Sequence, residues 1–233
     1  MDDLFKSIDT VEFIIKYFEN PDWYMLIRDL KKILNDNLKE DSIDLENVIT
    51  SGKVFIGKNT IVGPFTYIEG PVYIGDNVEI GPNVHLRPGS VISDNCVVGH
   101  AAEVKNTLMM SGSKTANHTL LADSIIGNKA RVAGHSETAN RRFDQAEVSW
   151  NMEDKEIKTG LDKLGAILGE ESRIGGSVML SPGTVIGMKT FIATGLVVGG
   201  YVPANKFMKV RTQIEITENK FTGSLHNKSK LYG

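Results

Sequence analysis

The chain has 233 residues, 41% of them hydrophobic and 24% charged, and its 26 basic and 29 acidic side chains leave a net charge of −3. This is the make-up of an ordinary globular chain; it excludes a disordered protein and a nucleic-acid binder held by bulk positive charge. The single cysteine, Cys96, excludes an intrachain disulfide, no apolar run reaches the ~18 residues of a membrane helix, and the start MDDLFKSIDT lacks the basic and apolar regions of a secretory signal, so a cytoplasmic protein with no membrane partner is expected.

Residues 1–50 form a head. Leu26, Leu30, Ile33 and Leu34 follow helical spacing, and Asn20-Pro21-Asp22 breaks the segment into two expected helices, about 3–18 and 22–37. The expectation is a helical cap over the open end of a solenoid, which needs such a cap for solubility; a partner-docking or trimer-stabilising head is the alternative.

From residue 51 to 210 the chain is periodic. Stepping by six from Ile56 gives Val62, Ile68, Ile74, Ile80, Leu86, Ile92, Val98 and Val104, all aliphatic. The residue after each is glycine in most cases, and Asn59, Asn77, Asn83 and Asn95 recur three residues after the aliphatic one. The phase returns at Leu168, Ile174, Leu180, Ile186, Ile192 and Val198. A short strand with one residue pointing inward, succeeded by a turn rich in Asn and Gly, makes one flat side of a prism. Three sides close a coil of roughly 18 residues, the hexapeptide parallel β-helix. Cys96 occupies an inward slot and reads as core. Between Val104 and Ile126 the phase slips, which predicts an interruption of the coil. Residues 141–165, with Arg141, Arg142 and Trp150, interrupt it again as a projecting loop. Residues 211–233 are a polar tail.

The segments Leu86-Arg87-Pro88-Gly89, Gly99-His100-Ala101-Ala102-Glu103-Val104-Lys105-Asn106, Ala122-Asp123-Ser124-Ile125-Ile126-Gly127, Thr138-Ala139-Asn140 and Lys163 to Gly169 carry a resemblance. With them, residues 54–210 resemble the left-handed β-helix domain of the bifunctional bacterial enzymes that N-acetylate glucosamine 1-phosphate and couple it to UTP. Closer still are free-standing sugar-nucleotidyltransferase-like proteins with a short helical head. The resemblance implies an all-β solenoid, a left-handed parallel β-helix of hexapeptide repeats, with no pyrophosphorylase domain. It implies a homotrimer with sites between subunits, acetyl-CoA as co-substrate, and an amino sugar phosphate or a sugar nucleotide such as UDP-N-acetylglucosamine as the other ligand.

Carried over residue by residue, Arg87 and Lys105 match the phosphate-binding cations, Glu103 a residue of the same strand, and Asn140 an amide near the acetyl group. Lys206 and Lys209 resemble positions that meet the CoA phosphates. The family's catalytic histidine falls on Asn117, with His118 next to it. The substrate-contacting tyrosine falls on Leu120, a second substrate asparagine on Arg131, and a glycine on His135. An amide cannot serve as a base, so the role passes to His118 or His135. If neither takes it, the chain is a catalytically degenerate sugar-phosphate-binding or scaffolding protein. On a strand, a one-residue displacement turns a side chain to the opposite face, which would send His118 into the interior. His100 and His118, 18 apart, are expected to stack, and a trimer-interface metal site of carbonic-anhydrase-like type is the remaining alternative; no metal is assigned.

Overall fold

The computed structural model of the chain describes residues 1, 3–39, 45–153, 155–211 and 213–218. Three parallel sheets of eight strands each wrap a three-sided prism. Face A runs from Ile49–Ser51 to Val197–Val198, Face B from Val54–Ile56 to Tyr201–Val202, and Face C from Ile61–Val62 to Phe207–Met208. The chain visits A, B and C in turn, so strands that are far apart in sequence pair in parallel: Tyr67 with His85, and His85 with Glu103. The inward aliphatics, among them Ile68, Ile80, Leu86, Ile92, Val98 and Val104, form one continuous buried core. At the corners Asn59, Asn77, Asn83 and Asn95 adopt φ between 54° and 59°, a left-handed conformation that asparagine tolerates better than most residues. Cys96 is fully buried in this core, and desolvation pushes its thiol up to about 11.

The coil does not break between Val104 and Ile126. Glu103 pairs with Leu120 and Lys114 with Arg131, a register of 17 residues rather than 18. The missing residue is taken from the corner between Faces A and B, where Asn106 and Asp123 turn the chain with φ of 44° and 49°. The inward residues are then Met109, Thr115 and Leu121, all buried. A threonine in one of those slots, its hydroxyl bonded to Thr119 at 2.6 Å, hides the continuity from an aliphatic count.

The head corrects a second expectation. The helix at 12–15 is short and the main helix is Leu26–Asn37. Neither covers the open end. Leu26, Ile27, Leu30, Ile33 and Leu34 share a core with Val91, Leu108, Ile125, Ile167 and Val185, the outward residues of Face B. The physical reason lies in the repeat: the middle residues of these Face B strands are aliphatic on the outside as well as the inside, and a two-sided apolar sheet must be covered. Residues 141–165 divide. A hairpin, Ser149–Met152 with Lys155–Lys158, folds back so that Trp150 is buried in the same core. The tip around Phe143 stands out, with that ring fully exposed.

Candidate functional site

The corner between Faces C and A gathers three histidines. His118 and His135 hold φ of 55° and 58°, as corner residues do. Strand alternation therefore does not apply, and both side chains are exposed at the surface rather than turned inward. The His118 ring lies parallel to that of His135 with centroids 5.2 Å apart, and edge-on to His100 at 5.1 Å. His100 and His118 are neighbours but do not stack as expected, because the 17-residue register sets His100 level with Asn117; the parallel stack is that of His118 on His135, one coil further on. The rings stack instead of converging, and among the described residues no group of three or more His, Cys, Asp or Glu is placed to hold a metal. Asn117 is tied down. Its Oδ1 accepts from the backbone N–H of His100 at 2.9 Å, an approach that depends on Gly99, since a Cβ there would sit 2.7 Å from that oxygen.

The opposite corner, between Faces A and B, holds the cations. Arg87 and Lys105 are paired across adjacent strands, half-buried, and each already has a carboxylate. Arg87 Nη1 donates to Glu103 at 2.8 Å, and Lys105 Nζ to Asp123 at 3.1 Å. Asp123 is nearly buried and also accepts from the Asn106 and Asn140 amides. Asn106 in turn donates to the Ile27 carbonyl of the head. A groove of about 420 Å³ opens here, lined by Arg28 and Lys31 of the head with Glu69, Arg87, Lys105 and Asp123. Nearby, His85 stacks on Tyr67 at 5.1 Å and places Nε2 3.7 Å from the Glu69 carboxylate. Beyond Asn140 an apolar cleft of about 600 Å³ runs between Phe143, Met179, Pro182 and Val197.

The candidate residues thus fall into two groups. Arg87, Glu103, Lys105 and Asn140 come together. His118, His135 and Asn117 come together at the other edge of Face A, about four strand residues or roughly 13 Å away. Within one chain the two groups do not meet. Arg131 lies on Face C, exposed, and Lys206 and Lys209 lie at the last coil of that face, with Lys209 Nζ 5.4 Å from the Phe207 ring. Asp123 and the head cations Arg28 and Lys31 were not legible as site residues. The sequence signals for Asp123 were its place in one of the resembling segments and the slip in the repeat, which puts it in a tight corner facing Lys105.

The profile of the GMPPB C-terminal domain matches residues 68–149. A protein of Escherichia coli K12 named as an uncharacterized acetyltransferase, YaiX, is 35% identical over 187 residues, 78% of this chain and 81% of that protein. The bifunctional sugar-1-phosphate nucleotidylyltransferase/acetyltransferase of Sulfurisphaera tokodaii is 40% identical over 165 residues, 71% of this chain and 41% of that protein. Among solved structures, the UDP-N-acetylglucosamine acyltransferase of Francisella novicida aligns with 66% of this chain and 60% of its own, at 18% identity and a TM-score of 0.43.

Proposed function

The chain belongs to the hexapeptide-repeat acetyltransferase family of YaiX, and from that premise we propose that it moves an acyl group from acyl-CoA to the amine of an amino sugar phosphate or sugar nucleotide. The amine nitrogen attacks the thioester carbon, the new C–N bond forms, and the C–S bond breaks with CoA leaving as thiolate. The proton shed by the amine needs an acceptor. The observation that carries the reading is the exposed pair His118 and His135: the imidazoles are displaced from the family's slot, yet the corner presents them at the surface. Arg87 and Lys105 bind the phosphate, which would compete with Glu103 and Asp123 for them. Asn140 orients the acyl carbonyl, and the apolar cleft beside Phe143 takes the arm of the donor.

Because the two groups of residues lie at opposite edges of Face A, the complete site needs the histidine corner of one chain beside the cation corner of another. A homotrimer, with three prisms side by side, supplies that arrangement. The internal ion pairs at Arg87 and Lys105 favour a second reading, a sugar-phosphate-binding protein without catalysis. Thiol release from acetyl-CoA, measured with glucosamine 1-phosphate and with amino-sugar nucleotides, separates the two. The expected result is release with at least one acceptor, lowered about 10²-fold or more by His118→Ala or His135→Ala. No release with any acceptor rejects the transferase, and release untouched by both substitutions rejects the histidines.

A further inference from the structure

A cavity of about 510 Å³ lies where four segments meet: the first residues of the chain, Pro21 to Tyr24 of the head, the hairpin beside Lys155, and Tyr201 on the last strand of Face B. It shares no lining residue with the groove at Arg87 or the cleft at Phe143. Its wall is aromatic and apolar. Trp23 and Tyr24 lie edge-on with centroids 6.1 Å apart, and Trp23 stacks on Phe18 at 5.5 Å. The Tyr24 carbonyl accepts from the Trp150 indole, so both rings are packed in place before any ligand arrives. Tyr201 and Met152 complete the wall.

Three carboxylates line the same cavity, Asp3, Asp22 and Glu153. Phenols fix two of them: Tyr24 Oη donates to Asp22 at 2.6 Å, and Tyr201 Oη donates to Asp3. Each of these two carboxylates keeps a second oxygen with no donor among the described residues. Burial, the bond to Asp3 and the charges of Asp3 and Glu153 hold the Tyr201 phenol well above the ordinary tyrosine range, and the bond to Asp22 raises that of Tyr24. Against the three carboxylates stand only the Lys155 ammonium and the Met1 amine, so the lining carries an excess of negative charge. Among the described residues no three His, Cys, Asp or Glu converge as a metal site does. The carboxylates are spread out, and they suit a cation larger than a bare metal ion.

We propose that this cavity binds an organic ammonium ion with an apolar body. The ammonium is held by Asp3, Asp22 and Glu153 and by the faces of Tyr24 and Tyr201, whose ring quadrupoles attract a cation. The hydrocarbon lies against Met152 and Trp23. The volume is that of a small-molecule pocket. Because the four segments are far apart in sequence, a ligand that touches all of them fastens the head and the hairpin to the last coil.

Isothermal titration of the full chain with pentylammonium, cadaverine and, as the uncharged counterpart, 1-pentanol tests it without any turnover. Both ammonium ions are expected to bind, more weakly as ionic strength rises, and pentanol about tenfold more weakly or not at all. Asp22 and Glu153 are exposed, so the double substitution Asp22→Asn, Glu153→Gln leaves the core alone. It is expected to weaken binding about tenfold or more. Tyr201→Leu is expected to weaken it as well, whereas Tyr201→Phe, which keeps the ring, retains it. Three results overturn the proposal: no binding of either ammonium ion at millimolar concentration, pentanol binding as tightly as pentylammonium, or binding unaltered in both the carboxylate double variant and Tyr201→Leu. Displacement of pentylammonium by equimolar magnesium would assign the cavity to a metal ion and overturn it equally. Each outcome is independent of whether acyl transfer is found.

Discussion

Asp123 shows how one residue of chain length makes a site. The turn between Faces A and B is a residue short at this coil, so an aspartate takes a left-handed conformation and its nearly buried carboxylate gathers Lys105, Asn106 and Asn140. Removing it takes one acceptor each from the Lys105 ammonium and the Asn106 and Asn140 amides, of which Asn106 keeps the Ile27 carbonyl. Asp123→Ala is expected to cost roughly 3 kcal/mol, measured by urea unfolding. Under the proposed function it also raises the KM for the phosphorylated acceptor more than it lowers kcat, because Lys105 loses its position. A variant as stable as the parent sinks this account. His118 belongs to the same scale. Alternation along a strand would have buried it, but a left-handed corner residue is not subject to that alternation, and its imidazole stays at the surface.

At the scale of elements, the head and the hairpin are one construction. Helix Leu26–Asn37 and the strand carrying Trp150 meet over the outward aliphatics of Face B, and the indole N–H reaches the Tyr24 carbonyl at 3.4 Å. Truncating Trp150 to alanine is expected to destabilise by about 3–5 kcal/mol and to loosen the head from the coil. Protection of the head amides in hydrogen exchange would then fall while that of the coil interior stays. Unchanged head protection would show that the helix holds Face B without the hairpin. The periodicity of Leu26, Leu30, Ile33 and Leu34 made the helix legible. What it covers was not, because a helix and a cap share one sequence pattern, and the decisive residues, Val91 and Ile125 among them, lie far along the chain.

For the whole molecule, Face A decides what one chain can do alone. Its two edges carry histidines and cations separately, and the proposed chemistry needs both. Sedimentation at micromolar concentration is expected to give three times the 25.6 kDa chain mass. A monomer that is nonetheless active would remove the shared-site account. The net charge of −3 also conceals an uneven distribution, with Lys114, Arg131 and Arg173 stacked on Face C, since net charge sums over all surfaces.

The β-helix and the phase of its inward residues up to Val104 were legible in the chain, because a six-residue period in aliphatics and corner asparagines fits one closed arrangement of short strands. The pairing of Arg87 with Lys105, 18 residues apart, was legible as well, whereas the 17-residue register at the histidine corner sets His100 level with Asn117, so that His118 meets His100 edge-on and stacks on His135. Folding settles where the exceptions lead: that the coil runs unbroken through two 17-residue turns, that His135 joins the histidines, that the head lies on a side and not on an end, and that Lys114, Arg131 and Arg173 form one column. The place of the head follows from the outward aliphatics of Face B; the others depend on a shortened turn or an insertion. Such a change shifts the register of every later residue by an amount that hydrophobic periodicity does not encode, and hydrogen bonding between coils does.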